Sequence, residues 1–165
     1  LLNRFAFSCS MGLTNVILPE SIDRIDACAF YYCTNLTEIE IPNSVTSIPT
    51  GAFSRCLSLR KVVIGENVRH IYMSAFSTCK SLAELWFRGN PPVSSRDFVD
   101  DWHRITIYHF ESTVGWDGTE WYDKPKRLWD VTLHPAQGSG SQGLLPDPKL
   151  KAQDEEIVRE SERSP

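Results

Sequence analysis

The sequence predicts a β-rich leucine-patterned solenoid of about four to five coils of 23 residues, with short parallel strands and an aromatic C-terminal cap. Three observations support this fold class. The phrase AFYYCTNLTEIEIP, which begins at Ala29, returns as AFSRCLSLRKVVIG from Ala52 and as AFSTCKSLAELWFR from Ala75. Apolar residues keep fixed positions within each copy, and each copy contains a short stretch of alternating apolar and polar residues.

Phenylalanine recurs at a constant interval of 23 residues, at Phe7, Phe30, Phe53 and Phe76. A fixed period between roughly 20 and 50 residues is typical of solenoids, because one repeat cannot bury its own apolar face and needs a neighbour to cover it. We therefore expect each phenylalanine to rest on the next. Phe98 follows Phe76 after 22 residues, and this departure indicates an irregular last copy.

The alternating stretch of each copy predicts a strand with one buried face, as at Ile39 and Ile41 in the second copy. Pro42 follows directly and removes a backbone donor, which ends the strand in a turn. Gly65 and Arg88 take the place of this proline in the next two copies. Since an isolated copy would expose its apolar face, the strands are expected to stack in parallel.

Three of the five cysteines, Cys33, Cys56 and Cys79, are spaced at the repeat period. Such a ladder indicates one small buried residue per coil rather than a disulfide framework, because free cysteine is often buried. Cys9 and Cys28 lie outside the ladder. No CxxC pair occurs, so the sequence gives no reason to expect a structural zinc site.

Composition and motifs exclude several function classes. A net charge of −4 does not favour nucleic acid as a partner, and no apolar run reaches the length of a membrane span. The nucleophile, zinc-protease and phosphate-loop motifs are missing from the sequence, so no cofactor and no catalytic residue are predicted. A metal site near the end of the repeats, built from Asp97, Asp101, His103 and His109, remains an alternative, although its spacing follows no ligand rule.

The phrases LTEIEIPNSVTSIPTGAFSRC and LRKVVIGENVRHIYMSAFSTC resemble the leucine-rich repeats of the BspA type. The resemblance covers roughly residues 1–110 and includes the leucine, proline, Ala-Phe and cysteine positions of that unit. It implies a solenoid from a surface or secreted protein that acts in adhesion, and hence an extracellular or cell-surface location. Because the chain opens within a repeat, we also expect it to be part of a longer protein.

The domain organisation follows from where the repeats lose their pattern. We predict a solenoid over 1–110, a C-terminal cap over 111–135 and a flexible linker with a disordered tail over 136–165. The cap segment is rich in aromatic residues, as expected of a segment that covers the apolar end of a solenoid, with Trp116, Trp121, Tyr122 and Trp129. An aromatic carbohydrate site is the alternative for the cap. A segment that folds on a partner is the alternative for the tail.

Two columns of outward side chains define the candidate binding face. Parallel stacking would align Asn15, Glu38, Lys61 and Glu84 in one column and Ile17, Glu40, Val63 and Trp86 in the next. The predicted partner-binding residues are those of both columns apart from the asparagine: Trp86, Lys61, Glu40, Glu38, Glu84, Val63 and Ile17. Two interpretations stay open: the charges form only a cross-strand ladder or belong to a recognition face, and Trp86 is either an exposed hot spot or covered by the cap.

The leading functional prediction is a non-catalytic binding module that presents this strand face to a protein or a glycan. One alternative is a structural spacer whose activity lies in another part of the protein. The other is the metal-dependent enzyme described above.

Overall fold

The computed structural model describes residues 1–95, 97–101, 104–116 and 126–128, which all lie in one unit, Leu1–Trp129. Its elements are short strands connected by turns. In chain order the strands are β1 (Asn15–Val16), β2 (Glu38–Glu40), β3 (Ser47–Ile48), β4 (Lys61–Ile64), β5 (His70–Ile71), β6 (Glu84–Phe87), β7 (Val93–Ser94), β8 (Thr106–His109) and β9 (Lys126–Leu128).

The strands form two parallel sheets that run along the solenoid. The larger sheet has the order β1-β2-β4-β6-β8-β9, and the smaller has the order β3-β5-β7. Equivalent residues of successive coils are paired in register, so that Glu38 is opposite Lys61 and Lys61 is opposite Glu84. The predicted leucine-rich solenoid with parallel strands and a repeat of about 23 residues is therefore confirmed.

The phenylalanine column forms the centre of the core. The rings of Phe7, Phe30, Phe53 and Phe76 stack with centroid distances of 5.3, 5.2 and 5.4 Å and interplanar angles of 13°, 9° and 7°. Phe30, Phe53 and Phe76 are fully buried. The expectation that phenylalanine meets phenylalanine is confirmed, and the ring spacing measures the distance between coils in this part of the core.

A turn on each coil is held by a backbone ladder that follows the same period. Cys9, Tyr32 and Arg55 have positive φ values of 59°, 62° and 64°. The N–H group of each donates to a carbonyl of the next coil, as between Tyr32 and Ser54 at 2.9 Å. Thr78 continues the series with φ 60°, but its N–H donates to the carboxylate Oδ2 of Asp100 at 2.7 Å. A side chain thus replaces the main-chain acceptor where the repeat becomes irregular.

The irregular last coil differs from the arrangement that the spacing suggests. The N–H of Phe76 donates to the carbonyl of Phe98, just as the N–H of Phe53 donates to that of Ala75. Phe98 therefore occupies the alanine position, 23 residues after Ala75, and Val99 takes the phenylalanine position. Phe98 meets Phe76 edge to face at 6.3 Å. Treating Phe98 as the next member of the phenylalanine column is wrong, because the one-residue shortening comes later, between Phe98 and Thr106.

The cysteine ladder lies inside the solenoid. Cys33, Cys56 and Cys79 are buried free thiols, and each donates to the carbonyl oxygen of a phenylalanine 26 residues earlier, at 3.0, 3.2 and 3.1 Å. Cys9 is exposed and Cys28 is half-buried. The thiols thus satisfy a carbonyl in each coil while filling a small apolar position.

Part of the predicted cap can be described. Trp116 is buried, packs edge to face on Phe87 at 5.0 Å and stacks on His109 at 4.8 Å. Its Nε1–H group donates to Thr113 Oγ1 at 2.9 Å. Trp121, Tyr122, Trp129 and the segment 136–165 lie outside the described residues, so the division into solenoid, cap and tail stays a prediction.

Candidate functional site

Apart from Ile17, which directly follows β1, the residues predicted to bind a partner lie side by side on the outward surface of the larger sheet, which we call the strand face. It comprises the outward side chains of β1, β2, β4, β6 and β8. Register places Glu40 opposite Val63, Val63 opposite Trp86 and Trp86 opposite Tyr108. The structure therefore brings the residues of the two predicted columns that lie on strands together, and their role in binding stays a prediction.

Trp86 lies at the centre of this face, and the structure places it in contact with both neighbouring strands. Only 2% of its surface is exposed. Its ring stacks on Tyr108 of β8 with a centroid distance of 4.0 Å and an interplanar angle of 10°. From β4, the ammonium group of Lys61 lies 4.6 Å from the ring centroid. The indole N–H donates to Glu84 Oε2 at 2.8 Å, so its polar atom is satisfied as well.

The charges around Trp86 do not form the alternating ladder that their column suggests. Among the residues that the structure describes, no ion pair joins Lys61 to Glu38 or Glu84. Lys61 instead makes a cation–π contact, and Glu84 accepts the indole hydrogen bond. Cation–π contacts contribute about 0.5–1 kcal/mol at exposed sites and more where water is excluded, which fits an ammonium group beside a buried indole.

A second polar pair crosses the same face. Arg88 Nη1 donates to Glu40 Oε1 at 2.6 Å, and the two side chains are 15% and 35% exposed. The residues are 48 positions apart, so this ion pair spans two coil steps. The pair bridges over β4, the strand that contains the half-buried Val63. A charge-assisted hydrogen bond of this kind fixes both side chains more firmly than an exposed pair would.

The remaining predicted residues are accessible. Glu38 is exposed, and Ile17 has 87% of its surface exposed. Arg127 of β9, opposite Tyr108 in register, is exposed too. The strand face thus combines a fixed aromatic and ionic centre with an exposed carboxylate and an exposed apolar side chain on its β1–β2 side.

Sequence reasoning missed two members of this site. Tyr108 follows Trp86 by 22 residues instead of 23, so the column breaks just before it. Arg88 falls at the position where two earlier coils have proline and the third has glycine, a position that the repeat pattern predicts to be the end of a strand. In both cases the only available signal was a bulky or charged residue at a position where the repeat pattern has already loosened.

The alternative metal site is not assembled among the described residues. Asp97 and Asp101 are exposed, and His109 is engaged by its cap neighbours. The Nδ1 atom of His109 lies 3.0 Å from the carbonyl of Phe110 and 3.2 Å from Thr113 Oγ1. No group of three or more metal-ligating side chains occurs in the part of the chain that the structure describes, and His103 is outside it.

Comparison with known proteins gives one family match. The model of the BspA type leucine rich repeat region matches six copies over residues 1–114. Among solved structures, the chain is similar to a leucine rich cell surface protein from Faecalibacterium prausnitzii A2-165, at 22% sequence identity and a TM-score of 0.46. That match covers 79% of this chain but only 30% of the other, so the chain spans less than a third of its length. No curated protein matches the sequence. Within the described residues, no helix has the length and apolarity needed to cross a bilayer.

Proposed function

This chain belongs to the BspA-type leucine-rich repeat family, and on that premise we propose that it binds a protein partner, without catalysis, through the strand face. The observation that carries the proposal is the Lys61–Trp86–Tyr108 stack. Its side chains are already held in place by contacts within the molecule. A surface ordered before it meets a partner loses less side-chain entropy on binding, which favours affinity.

The chemistry of the face favours a protein over a glycan. A sugar ring packs on the open face of an aromatic side chain, whereas Tyr108 and Lys61 approach the indole of Trp86 from the two neighbouring strands. The accessible groups are instead a carboxylate at Glu38 and an apolar side chain at Ile17. Together with the half-buried Lys61, these groups suit a protein surface of complementary charge with an apolar contact at its edge.

The proposed location is extracellular or at a cell surface, with a role in adhesion. Support for it comes from the resemblance of the repeats to the BspA type. The scaffold itself does not determine the role, because the same fold can carry unrelated functions. For this reason the binding face, and not the fold, is the object of the experiment.

The test is a selection from a displayed protein library with the full chain, followed by binding measurements on the selected partner. Replacing Glu38 with glutamine and Ile17 with lysine changes two exposed groups without adding a like charge opposite Lys61, which contacts the buried tryptophan. We expect affinity to fall at least tenfold in this double variant. The matched control is His70→Lys with Val93→Lys at exposed positions of the smaller sheet, which raises the net charge by the same amount and should leave affinity unchanged.

The outcomes separate the alternatives. A partner whose affinity depends only on the smaller sheet would refute the strand face as the binding site. Failure to select any specific partner would favour the spacer alternative. Binding on a glycan array that is lost in the strand-face variant would show that the face is correct but that the partner class is wrong.

A further inference from the structure

A cleft opens beside the last member of the cysteine ladder. It has a volume of about 290 Å³ and is lined by Cys79, Lys80, Val99, Asp100 and Arg104, among others. It lies where the register breaks, because Val99 fills the position that phenylalanine occupies in earlier coils and is a smaller side chain. Cys79 is 8% exposed, whereas Cys33 and Cys56 are fully buried. The ladder is therefore accessible from one end.

The geometry of the ladder brings its thiols close to one another. Each thiol donates to the carbonyl of the phenylalanine one coil earlier, so all three share one orientation, and the neighbouring rings stack 5.2–5.4 Å apart. Disulfides form across Cα distances of about 4.4–6.8 Å, a range that includes this ring spacing. Adjacent coils are thus close enough for a disulfide once one thiol rotates away from its carbonyl.

We propose that Cys56 and Cys79 form a disulfide that joins two adjacent coils when a small-molecule disulfide, such as oxidised glutathione, enters the cleft. The Cys79 thiolate attacks one sulfur of the oxidant, forming a mixed disulfide and releasing one glutathione thiolate. Cys56 transfers its proton to the released glutathione thiolate and attacks the Cys79 sulfur, releasing the second glutathione as a thiolate. Two protein thiols are oxidised to one disulfide while one glutathione disulfide is reduced to two thiols.

Access and chemistry determine which pair reacts and how fast. The thiols of Cys33 and Cys56 also influence each other: the interaction lowers the pKa of Cys33 and, together with burial, raises that of Cys56. Both thiols are sealed from solvent. Cys79 alone meets the cleft. Burial raises the pKa of Cys79 to about 12, so little thiolate exists at neutral pH and the reaction is slow. Its rate increases with pH in the alkaline range.

The consequence of oxidation is a covalent link across the coil interface next to the irregular last coil. A cross-link restricts the unfolded chain, and closing a loop of about two dozen residues is enough for a substantial effect. We therefore expect the oxidised protein to unfold several degrees above the reduced protein. The link would act as a redox-dependent reinforcement of the solenoid end.

Peptide mapping tests the proposal on the full chain without any variant. The protein is incubated with oxidised glutathione, blocked with an alkylating reagent and digested with trypsin under non-reducing conditions. Cys56 falls in the peptide 56–60 and Cys79 in the peptide 70–80, while Cys28 and Cys33 share the peptide 25–55. We expect 56–60 linked to 70–80. Linkage of 25–55 to 56–60, or three free ladder thiols after prolonged oxidation, would overturn the proposal.

Variants provide matched controls. Cys33→Ala leaves the proposed pair intact and should form the link at the wild-type rate. Cys79→Ala should prevent cross-linking altogether, because the remaining ladder thiols have no access to the oxidant. If Cys79→Ala instead forms a link between Cys33 and Cys56 as rapidly as the wild type forms its own, the cleft does not control the reaction and the proposal fails.

Discussion

Replacing Phe53 with alanine tests the physical basis of the solenoid. The side chain is fully buried and stacks on Phe30 at 5.2 Å and on Phe76 at 5.4 Å. A buried Phe→Ala change costs about 3–5 kcal/mol, because it removes apolar contacts and leaves a cavity. We expect the upper half of this range, since two stacked neighbours lose their partner together and each aromatic pair adds about 0.5–1.5 kcal/mol.

Phe7→Ala is the matched control, since Phe7 holds the equivalent position in its coil. Its side chain is 37% exposed and stacks on one neighbour, Phe30, at 5.3 Å. With roughly two-thirds of the side chain buried and one aromatic pair lost, the expected cost is about 2 kcal/mol. The two variants thus make the same substitution at positions that differ in burial and in the number of stacked neighbours.

The assay is urea unfolding of the full chain, followed by circular dichroism and by tryptophan fluorescence. If Phe53→Ala does not fold, Phe53→Leu retains most of the volume and should show a smaller loss with the same order between positions. Equal losses at the two positions, or a larger loss at Phe7, would refute the conclusion that each coil is stabilised by covering its neighbour.

Three further predictions concern individual contacts. Gly65→Ala should destabilise the protein by more than about 2 kcal/mol, because the new Cβ would clash with the backbone carbonyl oxygen of Pro42. Gly12→Ala, with nothing within 4 Å, should change thermal stability little. Asp100→Ala removes the acceptor of two hydrogen bonds and should cost about 1–2 kcal/mol in urea unfolding, while Asp97→Ala at an exposed carboxylate should cost under about 0.5 kcal/mol. The pKa of Cys79 is raised in the folded protein from 9.0 to about 12. The free energy of unfolding of the wild type should therefore exceed that of Cys79→Ala by a constant amount below pH 9, and this difference should shrink as the pH rises toward 12. Unfolding measured at stepped pH checks this, and a difference that grows with pH would contradict it.

Most of the fold could be predicted from the sequence, because a solenoid repeats one local structure. The phenylalanine, cysteine and strand positions follow a period of 23 residues, and in-register stacking then requires equivalent residues to meet. The repeat pattern predicted the wrong position for Phe98. Counting from one aromatic residue to the next placed it in the phenylalanine column, whereas the backbone hydrogen bond to Phe76 places it in the alanine position.

The candidate site could be predicted only in part from the sequence. The outward columns followed from strand alternation, so the sequence located Lys61, Glu84 and Trp86 on one face. It could not decide whether Trp86 was exposed, because that depends on Tyr108, which follows a shortened coil. Nor could it show the ion pair between Glu40 and Arg88, since a contact between residues 48 positions apart depends on side-chain reach across two coil steps.

By itself the sequence determined which residues share a column and which face of each strand is buried, because these follow from a fixed period and from the alternation of side chains along a strand. Only the tertiary structure decided which outward groups are satisfied by one another and which remain open to a partner. The physical reason is that burial and pairing on a surface depend on the conformations of neighbouring side chains, which spacing along the chain does not specify.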